Sequence, residues 1–122
     1  MELRKAIQRK ELFLHYQLQV GLKQHKASRV EALLRWKNRH FGDMPPSVFI
    51  PIAEETGLII PIGKWVLRQV CGDLHILDQY GFSDFSIAIN VSPLQLLQDP
   101  FVESIRSILF AENISARLIE LE

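Results

Sequence analysis

The stretch Arg29-Val30-Glu31-Ala32-Leu33-Leu34-Arg35-Trp36 separates into two chemistries when read on alternate residues. Successive side chains of a strand point to opposite faces. Val30, Ala32, Leu34 and Trp36 therefore share one face, and Arg29, Glu31, Leu33 and Arg35 share the other. Three further stretches repeat the division. Phe13 to Val20 sets Leu14, Tyr16, Leu18 and Val20 against Phe13, His15, Gln17 and Gln19. Phe85 to Val91 sets Phe85, Ile87, Ile89 and Val91 against Ser86, Ala88 and Asn90. A fourth strand, beginning near Arg117 and running to Glu122, sets Ile119 and Leu121 against Leu118, Glu120 and Glu122.

Helical signals fill the intervals. Leu3, Ile7 and Leu12 mark a short charged helix at the N-terminus, and Gly21 ends the first strand before a turn rich in Lys, Gln and His. Gly42, Pro45 and Pro46 make Asn38 to Pro46 a loop. Ser47 can cap a helix that runs through Glu54 and Glu55 to Gly57. Pro61 opens a longer helix whose Ile62, Val66, Val70, Leu74 and Leu77 recur at helical spacing, with Lys64, Arg68, His75 and Gln79 on another face and Gly81 as its stop. After Ser92-Pro93, helical segments continue to Asn113. Strands separated by helices predict a βα-repeating α/β fold with mostly parallel pairing.

The apolar faces need helices against them, so the polar faces share one surface, a barrel lumen or the cleft of an open sheet. That surface carries Glu31, Asn90 and Glu122. Two carboxylates and an amide oxygen are hard donors, suited to Mg²⁺ or Mn²⁺ rather than zinc. Arg35, two residues beyond Glu31 on the same face, can fork onto a phosphate. Water alone also selects a polar sheet face, and alternation does not choose between the two.

The bulk properties narrow the classes. The 122 residues amount to one domain or less. Lys+Arg and Asp+Glu are both 14, leaving no broad basic field for a nucleic-acid backbone, so no DNA partner is expected. No apolar run approaches the ~18 residues of a membrane span, and Met1-Glu2-Leu3-Arg4-Lys5 lacks the apolar core of a signal peptide. The single cysteine, Cys71, falls on the apolar side of a predicted helix as a buried small hydrophobe. A cytoplasmic protein is expected. His15 can reach the polar surface, His25, His40 and His75 read as surface residues, and Trp36 and Trp65 read as packing residues.

Particular words in the chain add a family. Glu31-Ala32-Leu33-Leu34-Arg35-Trp36 resembles the signature that names the EAL domain, with Tyr16-Gln17 at the expected distance before it. Phe49-Ile50-Pro51-Ile52-Ala53-Glu54 with Thr56-Gly57-Leu58-Ile59, then Asn90-Val91-Ser92, then Leu118-Ile119-Glu120-Leu121-Glu122, follow in the family's order. The resemblance implies a TIM-like (β/α)₈ barrel whose first strand is antiparallel to the rest, with a two-metal site at the C-terminal ends of the strands. It implies Mg²⁺ or Mn²⁺ on Glu31, Asn90 and Glu122, and a substrate phosphate on Arg35. Gln17 and Leu33 would line the substrate groove, with Ala53 and Glu54 near a guanine. The reaction implied is metal-dependent hydrolysis of cyclic-di-GMP to linear pGpG, a water attacking phosphorus.

This sequence departs from the family at Leu18, where a proline usually follows Tyr-Gln. The family's paired aspartates, its lysine and its general-base glutamate have no counterpart within these 122 residues. The expectation is therefore the N-terminal half of an EAL domain, residues 1–122, about half a barrel and inactive by itself. The other reading is a degenerate EAL module that binds a nucleotide or a partner protein without catalysis. A half-barrel leaves two raw edges, which predicts a homo-oligomer.

Overall fold

The eleven-residue strand β2 (Ser28–Asn38) organises a five-stranded sheet. In the computed structural model, which describes residues 2–19 and 28–122, β1 (Leu12–Gln19), β2, β4 (Phe85–Ile89) and β5 (Ile119–Leu121) follow in that order across the sheet, and β3 (Gly42–Met44) also pairs on β2. The strand β1 (Leu12–Gln19) runs antiparallel to β2, with Leu12 opposite Trp36 and Gln19 opposite Arg29. On the other side β4 (Phe85–Ile89) runs parallel to β2, and β5 (Ile119–Leu121) runs parallel to β4. The sheet is thus mixed, with an antiparallel first strand and parallel pairing thereafter. Val20, Gly21 and His25, named above for the first strand and its turn, lie outside the described residues.

Several expected boundaries move. The N-terminal segment forms a single 3₁₀ turn, Leu3–Lys5, rather than a helix, and Leu12 already belongs to β1. The region read as a loop contains β3 (Gly42–Met44), antiparallel to the end of β2 with Trp36 opposite Met44. The buried Asn38 closes that hairpin, its Oδ1 accepting from the amides of His40 at 2.8 Å and Phe41 at 3.0 Å. Three residues, Gly-Asp-Met, carry too little alternation to announce a strand.

Helix α1 (Pro46–Thr56) begins at Pro46, with extended Pro45 before it. Ser47 is inside the first turn and caps nothing; a proline at the first helical position supplies the start instead. Helix α2 (Ile59–Gln79) starts two residues before Pro61. It ends as expected at Gly81, whose φ of +88° lets Phe82 N–H reach Leu77 O at 2.9 Å and Gly81 N–H reach Asp78 O at 3.0 Å. Helices α3 (Pro93–Leu97) and α4 (Phe101–Glu112) follow β4, and a 3₁₀ turn, Ala116–Leu118, occupies the place expected for the start of the last strand.

The helices pack on the face bearing Val30, Ala32, Trp36, Ile87 and Ile89. Ile62, Val66, Val70, Cys71 and Leu74 of α2 and Ile108 and Leu109 of α4 complete this core. Burial pushes the Cys71 thiol up to about 11, so it is an unreactive hydrophobe. The apolar face thins toward the sheet margins, where Leu18 of β1 is 59% exposed and Leu121 of β5 is 43% exposed. No helix among the described residues is long and apolar enough to cross a membrane.

One corner locks β1, β2 and α1 together. The fully buried Trp36 meets Phe49 of α1 edge-on, ring centres 5.6 Å apart, and donates Nε1–H to Glu11 at 2.9 Å. That bond holds the Glu11 carboxyl below its usual value; desolvation opposes the effect and Arg39, 3.3 Å away, adds to it. The ionised contact is complete above the ordinary carboxylate range and is lost as pH falls through the lowered value. Because Phe49 fills this corner, Phe49→Ala is expected to cost about 3–5 kcal/mol. Urea denaturation measures it; a loss under ~1 kcal/mol would mean that the corner collapses without penalty.

Candidate functional site

Register builds the polar face. Glu31 of β2 stands opposite Gln17 of β1 and beside Ala88 of β4, and Ala88 stands beside Glu120 of β5. The ladder continues one step past β4 and β5, with Glu122 N–H donating to Ile89 O and Val91 N–H donating to Glu122 O, both at 2.9 Å. Asn90 and Glu122 thereby come side by side at the C-terminal ends of their strands.

The structure brings two of the three expected metal ligands into direct contact. Asn90 Nδ2 donates to Glu31 Oε2 at 2.9 Å, and Gln19 Nε2 donates to Glu31 Oε1 at 3.1 Å. Both oxygens of Glu31 therefore meet neutral amides, which orient the carboxylate without cancelling its charge. Glu122 has a different partner, since Arg29 Nη2 lies 2.9 Å from its Oε2 and 3.1 Å from Glu120 Oε1. Among the described residues no three of His, Cys, Asp or Glu gather as a ready metal cluster. The donors of Glu31, Asn90 and Glu122 are all oxygens and two are anionic, a set whose chemistry fits a hard divalent cation.

Next to this face, a groove of about 390 Å³ lies between the ends of β2 and β4 and the helices α1, α2 and α3. Leu33, Arg35, Glu54 and Asn90, four of the expected site residues, line it together with Ser92. Arg35 Nη1 donates to the Leu34 carbonyl at 3.0 Å. Glu54 Oε2 accepts from Ser92 Oγ at 2.6 Å, tying α1 to the turn after β4. Ser92 also caps α3, and Gln95 Oε1 accepts from Ser92 N–H at 2.9 Å to complete a capping box.

Gln17 is exposed on β1, in register with Glu31 and outside the residues that line the groove. Ala53 is fully enclosed in the core, so its methyl is not part of the groove surface. Tyr16 points the opposite way from Gln17 and donates to Asp73 of α2. Burial, with the Asp73 carboxylate second, pushes its phenol far above the usual range, so it remains a neutral donor. His15 and His40 are exposed, while His75 is half-buried and bonds the Glu112 carbonyl at 2.6 Å rather than lying on the open surface. Gln19, Arg29 and Ser92 received no role from the sequence. Alternation had already put Gln19 and Arg29 on the same face as Glu31, and that was the available signal.

Gly63 of α2 leaves room for the Gln95 side chain that caps the turn at Ser92. A Cβ there would overlap the Gln95 amide nitrogen. Gly63→Ala should displace Gln95 and open the capping box. Its stability should change by only about 1 kcal/mol, since the helix-propensity gain offsets the lost cap. Hydrogen exchange at the Ser92 amide should accelerate clearly; unchanged exchange would separate Gly63 from the site.

The EAL domain model matches residues 1–122. The bifunctional diguanylate cyclase/cyclic di-GMP phosphodiesterase MucR of Pseudomonas aeruginosa is 39% identical over 121 residues, covering 99% of this chain and 18% of that protein. Cyclic di-GMP phosphodiesterase PdeR of Escherichia coli K12 is 33% identical over 120 residues, covering 98% of this chain and 18% of that protein. The PaMucR phosphodiesterase in its c-di-GMP complex superposes with a TM-score of 0.91 at 38% identity, over 98% of this chain and 49% of that one. EAL enzyme Bd1971, in its cAMP- and cyclic-di-GMP-bound form, gives 0.84 at 32% identity, over 98% and 34%. The chain thus spans under a fifth of these curated relatives and about half or less of these solved chains. A match through the whole of residues 1–122, on a mixed α/β fold that follows solved members this closely, places the protein: the chain belongs to the EAL domain family.

Proposed function

We propose that residues 1–122 form the N-terminal half of an EAL barrel, and that its polar sheet face is the metal side of a cyclic-di-GMP phosphodiesterase site. The observation that carries this is the Asn90–Glu31 contact at 2.9 Å beside a groove lined by Leu33, Arg35 and Glu54. Relatives of the chain are cyclic di-GMP phosphodiesterases by name, and solved relatives hold c-di-GMP.

In this proposal Glu31, Asn90 and Glu122 hold Mg²⁺ or Mn²⁺. Such ions, when bound, neutralise charge at the phosphate and lower the pKa of a bound water. The protein's own part is orientation. Gln19 and Asn90 fix the Glu31 carboxylate while leaving its charge intact, and the Asn90 amide, donating through nitrogen, keeps its oxygen for a cation. Arg35 presents a planar fork to a phosphate at the groove. Leu33 and Gln17 flank the dinucleotide, and Glu54 takes a guanine edge with Ala53 behind it in the core. The product is pGpG.

Three oxygen ligands are a partial set for two-metal chemistry, in which positioning and charge stabilisation supply most of the acceleration. The 122-residue chain with cyclic-di-GMP and Mn²⁺ is therefore expected to yield no rapid pGpG. Mn²⁺ binding should weaken about tenfold or more, ~1.4 kcal/mol, in Glu31→Gln. Rapid turnover would contradict the incomplete site, and an unchanged Mn²⁺ titration would remove Glu31 from it.

Among the described residues β1 and β5 are the outer strands of the sheet, beside exposed Leu18 and Leu121, and an outer strand offers its backbone groups to another chain. We propose that copies of the chain cover each other there. Light scattering at micromolar concentration should show a dimer or larger species; a clean 14.1 kDa monomer would refute it.

A further inference from the structure

Arg29 stands two residues before Glu31 on β2, in register with Ser86 of β4. Its guanidinium nevertheless meets Glu120 and Glu122 on the far side of β4. Neighbouring strands lie ~4.8 Å apart, so the side chain must cross β4. The residue on this face between Glu31 and Glu120 is Ala88, which is fully buried although it faces the polar side. A small residue there leaves room for the crossing. Arg29 Nε is buried and has no hydrogen-bond partner among the described residues, and Nη2 is the atom that meets both carboxylates.

These ion pairs are partly open to water, with the side chains of Arg29, Glu120 and Glu122 exposed by 35%, 49% and 33%. Exposed pairs add little to stability. Their consequence is for other cations, because Nη2 engages one of the two Glu122 oxygens and compensates its charge, and a guanidinium repels a divalent ion a few ångströms away.

We propose that Arg29 is the tethered counter-ion of Glu122, held there until a divalent ion displaces it, and that it sets how much Mg²⁺ or Mn²⁺ the site requires. The proposal rests on the metal-site reading of Glu31, Asn90 and Glu122. Glu120 is the second half of the device. It receives Arg29 when Glu122 is taken, so displacement does not strand a charge. Arg29 is a positioning residue, acting on the ligand rather than on substrate.

Mn²⁺ titration calorimetry on the 122-residue chain tests this without any activity assay, with urea midpoints confirming that each variant is folded. Arg29→Met keeps an apolar stem and removes the charge, leaving two neighbouring carboxylates; Mn²⁺ should bind about tenfold more tightly, ~1.4 kcal/mol. Arg29→Lys keeps the charge and should titrate near wild type. Glu120→Gln confines Arg29 to Glu122 and should weaken binding several-fold. Equal or weaker binding in Arg29→Met, while Glu31→Gln still loses Mn²⁺, would overturn the proposal alone and leave Arg29 as a support for Glu122. Binding unaltered by Glu31→Gln, or absent from both wild type and Arg29→Met, would overturn the metal site and the proposal with it.

Discussion

Every element of this chain answers to the alternation of β2, on which β1, β3 and β4 all pair. A strand can send consecutive side chains only to opposite faces. Packing Val30, Ala32 and Trp36 under the helices therefore obliges Arg29, Glu31, Leu33 and Arg35 to face the other way. A slip of one residue would exchange the two sets and bury two arginines and a glutamate. The register against β1 and β3 is held where the core is most exacting, at Trp36 opposite Leu12 and Met44, with its Glu11 bond and its Phe49 contact. The same packing that stabilises the domain thus delivers the charged face.

That face is organised by pairing rather than by net charge, which is zero for the whole chain. Glu31 is held by neutral amides and Glu122 by a guanidinium. The two carboxylates therefore differ in what a cation would meet on arrival, an uncompensated charge at one and a competitor at the other. The turn after β4 connects this face to the helical layer. Ser92 reaches Glu54, Gln95 reaches Ser92, and Gly63 leaves space for Gln95. These contacts tie α1 and α2, packed on the apolar face, to the turn two residues after Asn90.

The strands and the split into two faces were legible because period-two alternation is local and persists over whole strands. The stop at Gly81 was legible for a similar reason, since a glycine at φ +88° ends a helix by its own geometry. The hairpin closed by Asn38 was not, because it depends on a side-chain bond across three residues and a strand too short to alternate. Ser47 misled because Pro45 and Pro46 had already set the start of α1. At the site, the family words selected Glu31, Asn90 and Arg35, and the groove unites Asn90 and Arg35 with Leu33 and Glu54. The contact of Arg29 with Glu120 and Glu122 is not legible in the sequence, because it reaches across β4, a distance that no single strand's pattern contains. Ala53 sits in a matching block, but it lies on the buried side of α1 with its methyl in the core.

Whether the polar face around Glu31 and Asn90 takes a hard cation is decided by paramagnetic broadening with substoichiometric Mn²⁺ in amide NMR spectra, because the effect falls off steeply with distance from the ion. A cation held there removes the amide signals of Glu31, Asn90 and Glu122 and of their sheet neighbours selectively, with Val70 and Cys71 behind the sheet retained. Uniform broadening, or broadening centred on another surface, would contradict that placement.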